Sequence, residues 1–327
     1  MDDFVLKKST NSLMTALATY GVSNFSRIKE VNNKPVSFFN MDDGTYGVLS
    51  HYSSRFADLR PGTISTVDIA YHVFAIANAQ ILSSGTSSMY AFFSIGIPDD
   101  EFDDFIMKSQ EGIKIAASLS GTLLIGGDVY TSHEPEIDVL LCGIIDKKTH
   151  LSKKSVKGGY NIYVSGHPGD EYAGREILNG SGARLQYERT LVNRYLKPTM
   201  YNSSILNIMD ELKPVFISTC AASVLETLIQ LCTNQTRGFT INYHQFPVSA
   251  EMLQFFNNDR KAAFTYALTK PCESELLIIT NKSCYTSEYI DDAYISCIGK
   301  ITDSGHFIGT HNAEIPFNPK KTETITF

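Results

Sequence analysis

The chain has 327 residues, of which 43% are hydrophobic and 19% are charged. This length and composition are sufficient for two packed domains that fold without support from disulfides. The net charge of −7 lacks the basic excess that non-specific binding to nucleic-acid phosphates requires, so we expect no nucleic-acid partner.

The cysteines and the N-terminal residues indicate a reducing compartment. The six cysteines never form a Cys-x-x-Cys pair, and no histidine lies at zinc-finger spacing, so we expect reduced, mostly buried thiols. The first residues, MDDFVLKK, do not have the basic-then-apolar order of a signal peptide. The most apolar long stretch, residues 67–82, contains Asp68 and His72 and is too short to span a bilayer. We therefore expect a cytoplasmic protein with no membrane role.

The first half of the chain has the hydrophobic patterns of a β-α-β-α-β-β arrangement. Apolar residues recur at helical spacing from Thr66 to Ser84, and the acidic residues after Pro98 favour the first turn of a helix that ends near Leu119. Strands are predicted at residues 36–40, 87–97, 121–132 and 136–145. This order predicts an α+β unit in which helices cover one face of a sheet.

The second half follows a polar hinge at residues 150–159, which predicts a domain boundary there. Strands are predicted at residues 161–165, 215–218, 239–243, 275–280, 296–301 and 306–310. Helices are predicted at residues 169–178, 201–212 and 221–232 and around Glu288. The chain is therefore divided into domains 1–150 and 151–327.

The segment GTLLIGGDVYTS at residues 121–132 is predicted to be a buried strand that delivers Gly126, Gly127 and Asp128 to a turn. Glycines permit close approach of the backbone to a phosphate, and a carboxylate there can hold Mg²⁺ against phosphate oxygens. By itself the pattern is more typical of an ordinary tight turn. A phosphate site requires support from other segments.

That support comes from collinear motifs. SGHPGDEYAG at residues 165–174 resembles the segment of thiamine-monophosphate kinases in which a strand ends in (Thr/Ser)-Gly before Gly-Asp-x-x-x-Gly. LVNRYLKP at 191–198, FPVS at 246–249 and ALTKPCESELLIIT at 267–280 resemble further segments of that family, in the same order. Gly126-Gly-Asp lies where the family has Gly-Gly-Asp-Thr-Thr.

The resemblance implies a two-domain PurM-like fold, that of the aminoimidazole ribonucleotide synthetase superfamily. Its N-terminal ferredoxin-like domain would form a homodimer, and its C-terminal domain would be α/β. The implied function is ATP-dependent phosphoryl transfer to, or activation of, a small metabolite. Gly126, Gly127, Gly169 and Asp170 would then contact the nucleotide.

The resemblance also implies that Mg²⁺ is held by Asp128 together with Asp42 or Asp43. The tandem Asp42-Asp43 resembles an acidic element that follows an early strand in the superfamily. The alternative interpretation of this pair is a solvated turn before Gly44.

Several carboxylates of the family are replaced. Gln80, Thr219 and Ala222 lie where the family has aspartates, and Lys270-Pro-Cys-Glu273 replaces its Gly-Gly-Glu-Asp turn. Neutral side chains cannot supply the charge that Mg²⁺ favours. A second hypothesis is therefore a catalytically degenerate member that serves as a dimeric structural or binding module.

Other polar residues have ordinary alternatives. Asp170 can cap the following helix rather than contact a nucleotide. His167 lies in a Pro-Gly turn, where exposure is the usual role, and Arg194 and Lys197 are typical of a helix surface. The aromatic row Tyr90, Phe92 and Phe93 is more typical of sheet core or dimer contact than of base stacking, because no basic residues interleave with it.

Overall fold

A computed structural model describes residues 28–30, 36–41, 44–55, 64–98, 102–151, 155–180, 182–233, 237–282, 287–310 and 313–316. Within these ranges the chain forms two β-sheets with helices against them, one sheet ending at Asp146 and the other beginning at Asn161. The predicted mixture of strands and helices is confirmed. Asp42 and Asp43 lie outside the described residues.

The first sheet has six strands in the order β1-β2-β3-β6-β4-β5. They are β1 (Ile28–Glu30), β2 (Val36–Asn40), β3 (Thr45–Arg55), β4 (Ser88–Ile97), β5 (Leu123–Thr131) and β6 (Glu136–Asp146). Neighbouring strands are antiparallel except β4 and β5, which are parallel. Helix α2 (Phe102–Ser120) joins this parallel pair, because parallel neighbours need a long crossover connection.

Helix α1 (Thr66–Leu82) is buried on nearly all sides. It begins at Ser65, whose hydroxyl accepts a hydrogen bond from the backbone N–H of Val67. It contacts β3, β6 and α2 and also β10 (Cys272–Thr280) of the second sheet. A helix that is apolar all round is typically enclosed by other elements. His72 and Asn78 of α1 are therefore buried polar residues inside the protein.

The second sheet has the path β14-β13-β9-β12-β7-β10-β8, and β11 pairs with β12 beside it. Its other strands are β7 (Asn161–Ser165), β8 (Phe216–Cys220), β9 (Gly238–Asn242), β11 (Ser287–Ile290), β12 (Ala293–Thr302), β13 (His306–Gly309) and β14 (Glu314–Pro316). The helices of this half are α3 (Asp170–Asn179), α4 (Gln186–Leu196), α5 (Ile205–Leu212), α6 (Val224–Thr233), α7 (Ala250–Phe255) and α8 (Arg260–Thr269).

Two secondary-structure predictions are wrong for identifiable reasons. The helix predicted around Glu288 is strand β11, which forms a hairpin with β12 through Asp291 and Asp292. Asp291 has φ 50°, and acidic residues accept this left-handed conformation in two-residue turns. Gly126, Gly127 and Asp128 do not lie in a turn: they are inside β5, paired along β4. Strands β1, β3 and β14 and helices α4, α7 and α8 were not predicted.

The cysteine prediction is only partly correct. Cys142, Cys220, Cys232 and Cys272 are free thiols, and all but Cys142 are buried. Cys297 is disulfide-bonded, so the prediction of a reduced thiol is wrong at that position. Among the described helices, none combines the length and the apolar character needed to cross a membrane.

Candidate functional site

A cavity of about 300 Å³ lies where β3 and α1 meet α3 and the start of β10. We call it the central cavity. Its volume is at the lower end of the range for small-molecule sites. Five of its lining side chains carry the polar groups relevant to binding: Tyr52, His72, Glu171, Arg175 and Glu273.

Glu171 lies in the floor of the central cavity and is almost completely buried. Its carboxyl accepts hydrogen bonds from the backbone N–H of Glu273, at 2.9 Å, and from the hydroxyl of Ser274. Burial, reinforced by the nearby carboxyl of Glu275, raises the pKa of Glu171 to about 8. The side chain is therefore mostly neutral at neutral pH.

Glu273 connects the two halves of the chain. Its Oε2 accepts a hydrogen bond of 3.1 Å from the hydroxyl of Tyr52 on β3. Burial raises the pKa of Glu273, although the Tyr52 hydrogen bond and the Arg175 charge lower it. Burial and the Glu273 carboxyl also raise the pKa of Tyr52, which therefore remains a neutral donor. Glu273 is the one acidic residue in the segment that replaces the family's Gly-Gly-Glu-Asp turn, and it lines the cavity.

A second cavity, of about 190 Å³, lies on the other side of Glu171. In its wall, Glu275 Oε2 accepts a hydrogen bond of 2.7 Å from Tyr201 and another from Ser165. All of these groups are buried. Burial raises the pKa of Glu275, so this network is held together by hydrogen bonds in the interior rather than by exposed charge.

Asp170 does not cap helix α3. Gly169 is the N-terminal capping residue, with φ 90° and no side-chain capping bond, whereas Asp170 is buried in the first turn. Its carboxylate pairs with Arg194 and accepts a 2.9 Å hydrogen bond from Ser249. Burial raises the pKa of Asp170 to about 7, although Arg194 and Ser249 act in the opposite direction. The predicted capping role of Asp170 is wrong.

Two other residues differ from their expected surface roles. Arg194 is half-buried and also pairs with Glu251 at 3.0 Å, so its guanidinium is committed to carboxylates. His167 is not a simple exposed turn residue: it lines the second cavity and stacks on Tyr294 at 5.6 Å between ring centroids. Burial lowers the pKa of His167 to about 4, which makes it neutral at physiological pH. Lys197 is exposed, as predicted, and pairs with Asp68 at 3.0 Å.

The Gly-Gly-Asp motif lines neither cavity: Gly126 and Asp128 lie on the face of the first sheet opposite to its helices, and Gly127 lies on the other face. The strand register aligns Asp128 with Ser94 on β4, and Ser94 with Asp138 on β6. A Cβ on Gly126 would lie 3.0 Å from the Phe92 ring, so packing within the sheet already favours glycine there. Asp128 is exposed, and it does not line either cavity with Glu273.

The donor groups of the described residues do not by themselves make a Mg²⁺ site. Asp138 already accepts a hydrogen bond from Tyr130 and faces His51 at 3.6 Å. Gln80, at a position where the family has aspartate, accepts a hydrogen bond from Ser50. Over the described ranges, no group of three or more His, Cys, Asp or Glu residues is arranged to hold a metal ion.

His72, Tyr52, Glu171 and Arg175 were not singled out from the sequence. A signal for His72 did exist, because it is an ionisable residue inside a helix that is apolar all round. For the other three residues no local signal was present. Their common location depends on contacts between β3 and the second half of the chain.

In sequence, the chain is similar to thiamine-monophosphate kinases. It is 24% identical over 132 residues to that enzyme of Aquifex aeolicus, a match that covers 40% of this chain and 42% of the enzyme. It is 24% identical over 225 residues to the enzyme of Buchnera aphidicola, covering 67% of each. The first of these matches thus spans less than half of the relative's length. No family model matches the chain.

The fold is similar to solved structures over most of the chain. AaThiL complexed with AMPPCP and TMP has a TM-score of 0.74 at 17% identity, over 88% of this chain and 90% of that one. The hydrogenase maturation protein HypE of E. coli has a TM-score of 0.62 at 14% identity, over 94% and 97%. The fold is therefore similar to that of these proteins over most of the chain. In sequence and in fold the chain is similar to thiamine-monophosphate kinases, which confirms the predicted resemblance.

Proposed function

We propose that this chain is a divergent ATP-binding protein of the thiamine-monophosphate kinase type, acting on a small phosphorylated metabolite. The observation that carries the proposal is the likeness of 88% of the chain to a structure that contains AMPPCP and TMP. AMPPCP is an analogue of ATP, and the curated relatives are kinases.

In this proposal Gly126, Gly127 and Asp128 contact the nucleotide phosphates from β5, which is last in the strand order of the first sheet. Asp128 is suited to this role because its carboxylate is exposed and, among the described residues, accepts a hydrogen bond only from the adjacent backbone N–H of Val129. Mg²⁺ would be held by Asp128 with Asp42 or Asp43. Gly169 and Asp170 would act from the start of α3, with Asp170 positioned by Arg194.

Isothermal titration of AMPPCP, with and without Mg²⁺, tests nucleotide binding. Saturable binding is expected for the native chain, and Asp128→Asn should weaken it by at least about ten-fold, which corresponds to about 1.4 kcal/mol. Asp104→Asn is the matched control, because Asp104 is an exposed carboxylate on α2 that pairs only with Lys108 in the described chain. Absence of saturable binding by the native chain at millimolar nucleotide would contradict the proposal.

Turnover is tested separately from binding. The chain is incubated with ATP, Mg²⁺ and thiamine monophosphate, and ³¹P NMR monitors the appearance of ADP and a new diphosphate ester. An active kinase produces both compounds in equal amounts. Saturable AMPPCP binding without these products would support a nucleotide-binding protein that has lost transfer activity.

The second candidate function, a dimeric structural or binding module, is favoured by one surface. The open face of the first sheet is the face that α1 and α2 do not cover. It carries exposed apolar side chains that are neighbours in register: Tyr90, Phe92, Leu123 and Leu140. Exposed apolar patches of this kind typically mark an interaction surface. We propose that two copies of the chain associate through this face.

Analytical ultracentrifugation tests the association. Phe92→Lys places a charge in the centre of the apolar face and should convert a dimer to a monomer. Leu206→Lys is the control, because Leu206 is 62% exposed on α5, in the other half of the chain. A native chain that remains monomeric at high micromolar concentration contradicts the association. If Phe92→Lys abolishes the dimer but AMPPCP binding persists, the two functions are independent.

A further inference from the structure

We propose that the central cavity binds a small anion that also carries a hydroxyl proton, such as hydrogen phosphate or a hydroxyl-bearing phosphate ester. Arg175 binds the anionic oxygens, and Nε2 of His72 accepts a hydrogen bond from the hydroxyl group. This inference does not rest on nucleotide binding at the first sheet, because the cavity and the Gly-Gly-Asp motif lie at different places in the fold.

The tautomer of His72 follows from its one hydrogen bond. Its Nδ1 lies 2.7 Å from the backbone carbonyl oxygen of Tyr195. A carbonyl oxygen can only accept, so Nδ1 donates and carries the proton. Burial, together with the Arg175 charge, lowers the pKa of His72 to about 4, although the Tyr195 hydrogen bond acts in the opposite direction, so the ring is neutral. Nε2 therefore has a free lone pair at neutral pH.

His72 is a buried side chain in the wall of the central cavity. The residue is 95% buried, since only 5% of its surface is exposed, and it lines the central cavity. Within the described part of the chain, the Tyr195 carbonyl is its only hydrogen-bond partner. A ligand with a hydroxyl group would donate a hydrogen bond to this nitrogen.

Arg175 contributes a positive charge to the same cavity. It follows Glu171 by one helical turn on α3, and its charge acts on His72, Glu273 and Tyr52. No described carboxylate forms an ion pair with it. This distinguishes Arg175 from Arg194, which is held by two carboxylates. A guanidinium with free donors is well suited to the oxygens of phosphate.

The acidic groups of the cavity do not prevent anion binding. Glu171 is engaged by Ser274 and by backbone N–H groups, and its raised pKa of about 8 keeps it mostly protonated. Glu273 accepts the Tyr52 hydroxyl proton in a hydrogen bond and also has a raised pKa. The aromatic ring of Tyr172 completes one wall. Among the described residues that line the cavity, Arg175 thus provides a cation without an ion pair and His72 an acceptor without a donor.

Comparison of phosphate with sulfate tests the inference directly. At about pH 7 sulfate is a dianion without a proton, whereas inorganic phosphate always retains at least one P–OH group. Charge alone would favour sulfate, but the His72 acceptor favours phosphate. Titration calorimetry of the native chain should give saturable phosphate binding that is at least about ten-fold tighter than sulfate binding.

Variants separate the two contacts. His72→Asn retains a donor for the Tyr195 carbonyl but removes Nε2, so it should bind phosphate and sulfate about equally. Arg175→Ala should weaken the binding of both anions by about ten-fold or more. Arg189→Ala is the control, because Arg189 is also exposed on a helix but does not line the cavity. Circular dichroism confirms that each variant is folded.

A measurement on the native chain is independent of the variants. Imidazole ¹⁵N NMR should show His72 protonated at Nδ1 and unprotonated at Nε2, and the Nε2 resonance should move on addition of phosphate but not of sulfate. The inference is overturned if phosphate shows no saturable binding, if the native chain binds the two anions equally, or if His72→Asn retains the preference for phosphate.

Discussion

The carboxyl group of Glu171 should make the chain less stable as the pH rises. In the folded state its pKa is about 8, whereas an unfolded glutamate has a pKa of about 4.3. A raised folded-state pKa means that this stabilising contribution is complete below about pH 4 and is lost as the pH rises through about 8. The physical cause is burial, because ionisation would leave a charge in the interior beside Glu275.

The size of the effect follows from the two pKa values. Between about pH 5 and about pH 8, linkage gives a loss on the order of 3–4 kcal/mol in the free energy of unfolding. Glu171→Gln removes the titration but preserves the hydrogen bonds: its amide oxygen accepts from the N–H of Glu273, and its amide nitrogen donates to Ser274. The variant should therefore lose most of this pH dependence.

Urea unfolding at several pH values, followed by far-ultraviolet circular dichroism, measures the effect. The chain has no tryptophan, so circular dichroism is a better probe than fluorescence. Glu111→Gln is the control, because Glu111 is exposed on α2. Equal pH dependence in the native chain and Glu171→Gln would refute the reasoning. So would a native chain that becomes more stable between about pH 6.5 and about pH 8, where the buried histidines are already neutral.

Three further substitutions test individual contacts by urea unfolding. Tyr201→Phe deletes the 2.7 Å hydrogen bond to buried Glu275 and should lower the free energy of unfolding by about 1–2 kcal/mol. An unchanged urea midpoint would show that water replaces the hydroxyl. Gly112→Ala should lower the free energy of unfolding by about 2–4 kcal/mol, because the alanine Cβ would lie 2.2 Å from the carbonyl oxygen of Val67. Alanine has the better helix propensity, so an increase in stability would disprove this close contact between helices. Arg194→Met should lower the free energy of unfolding by about 2–4 kcal/mol at about pH 8. The loss should be smaller at about pH 5, because Asp170, whose pKa is raised to about 7, is then protonated, and a loss independent of pH would contradict the Arg194–Asp170 ion pair.

Local patterns predicted the elements that carry their own periodicity. Helix α1 was predicted at residues 66–84 and lies at Thr66–Leu82, because its apolar residues recur at helical spacing. The Gly-Gly-Asp motif was assigned to a turn because glycine and aspartate favour turns in isolation. Pairing with β4 keeps these residues in an extended strand, and that pairing depends on residues about thirty positions earlier.

Candidate-site prediction was limited for the same reason. The sequence indicated Asp128 through its glycines and Glu273 through its place in a motif, but these two residues do not share a cavity in the described chain. The role of Asp170 was predicted from its position at a helix start. The structure replaces that role with an Arg194 ion pair, which joins two helices and is not visible in the local sequence.

The sequence by itself determined the order of the main elements, the net charge, the resemblance to thiamine-monophosphate kinases, and the loss of carboxylates at Gln80, Thr219 and Ala222. These properties depend on residue identity or on spacing along one element. The tertiary structure alone decided which polar groups meet. Tyr52 contacts Glu273 across 221 positions, and His72 contacts the Tyr195 carbonyl across 123. Such contacts, and the burial that shifts their pKa values, exist only after the two sheets have packed against α1.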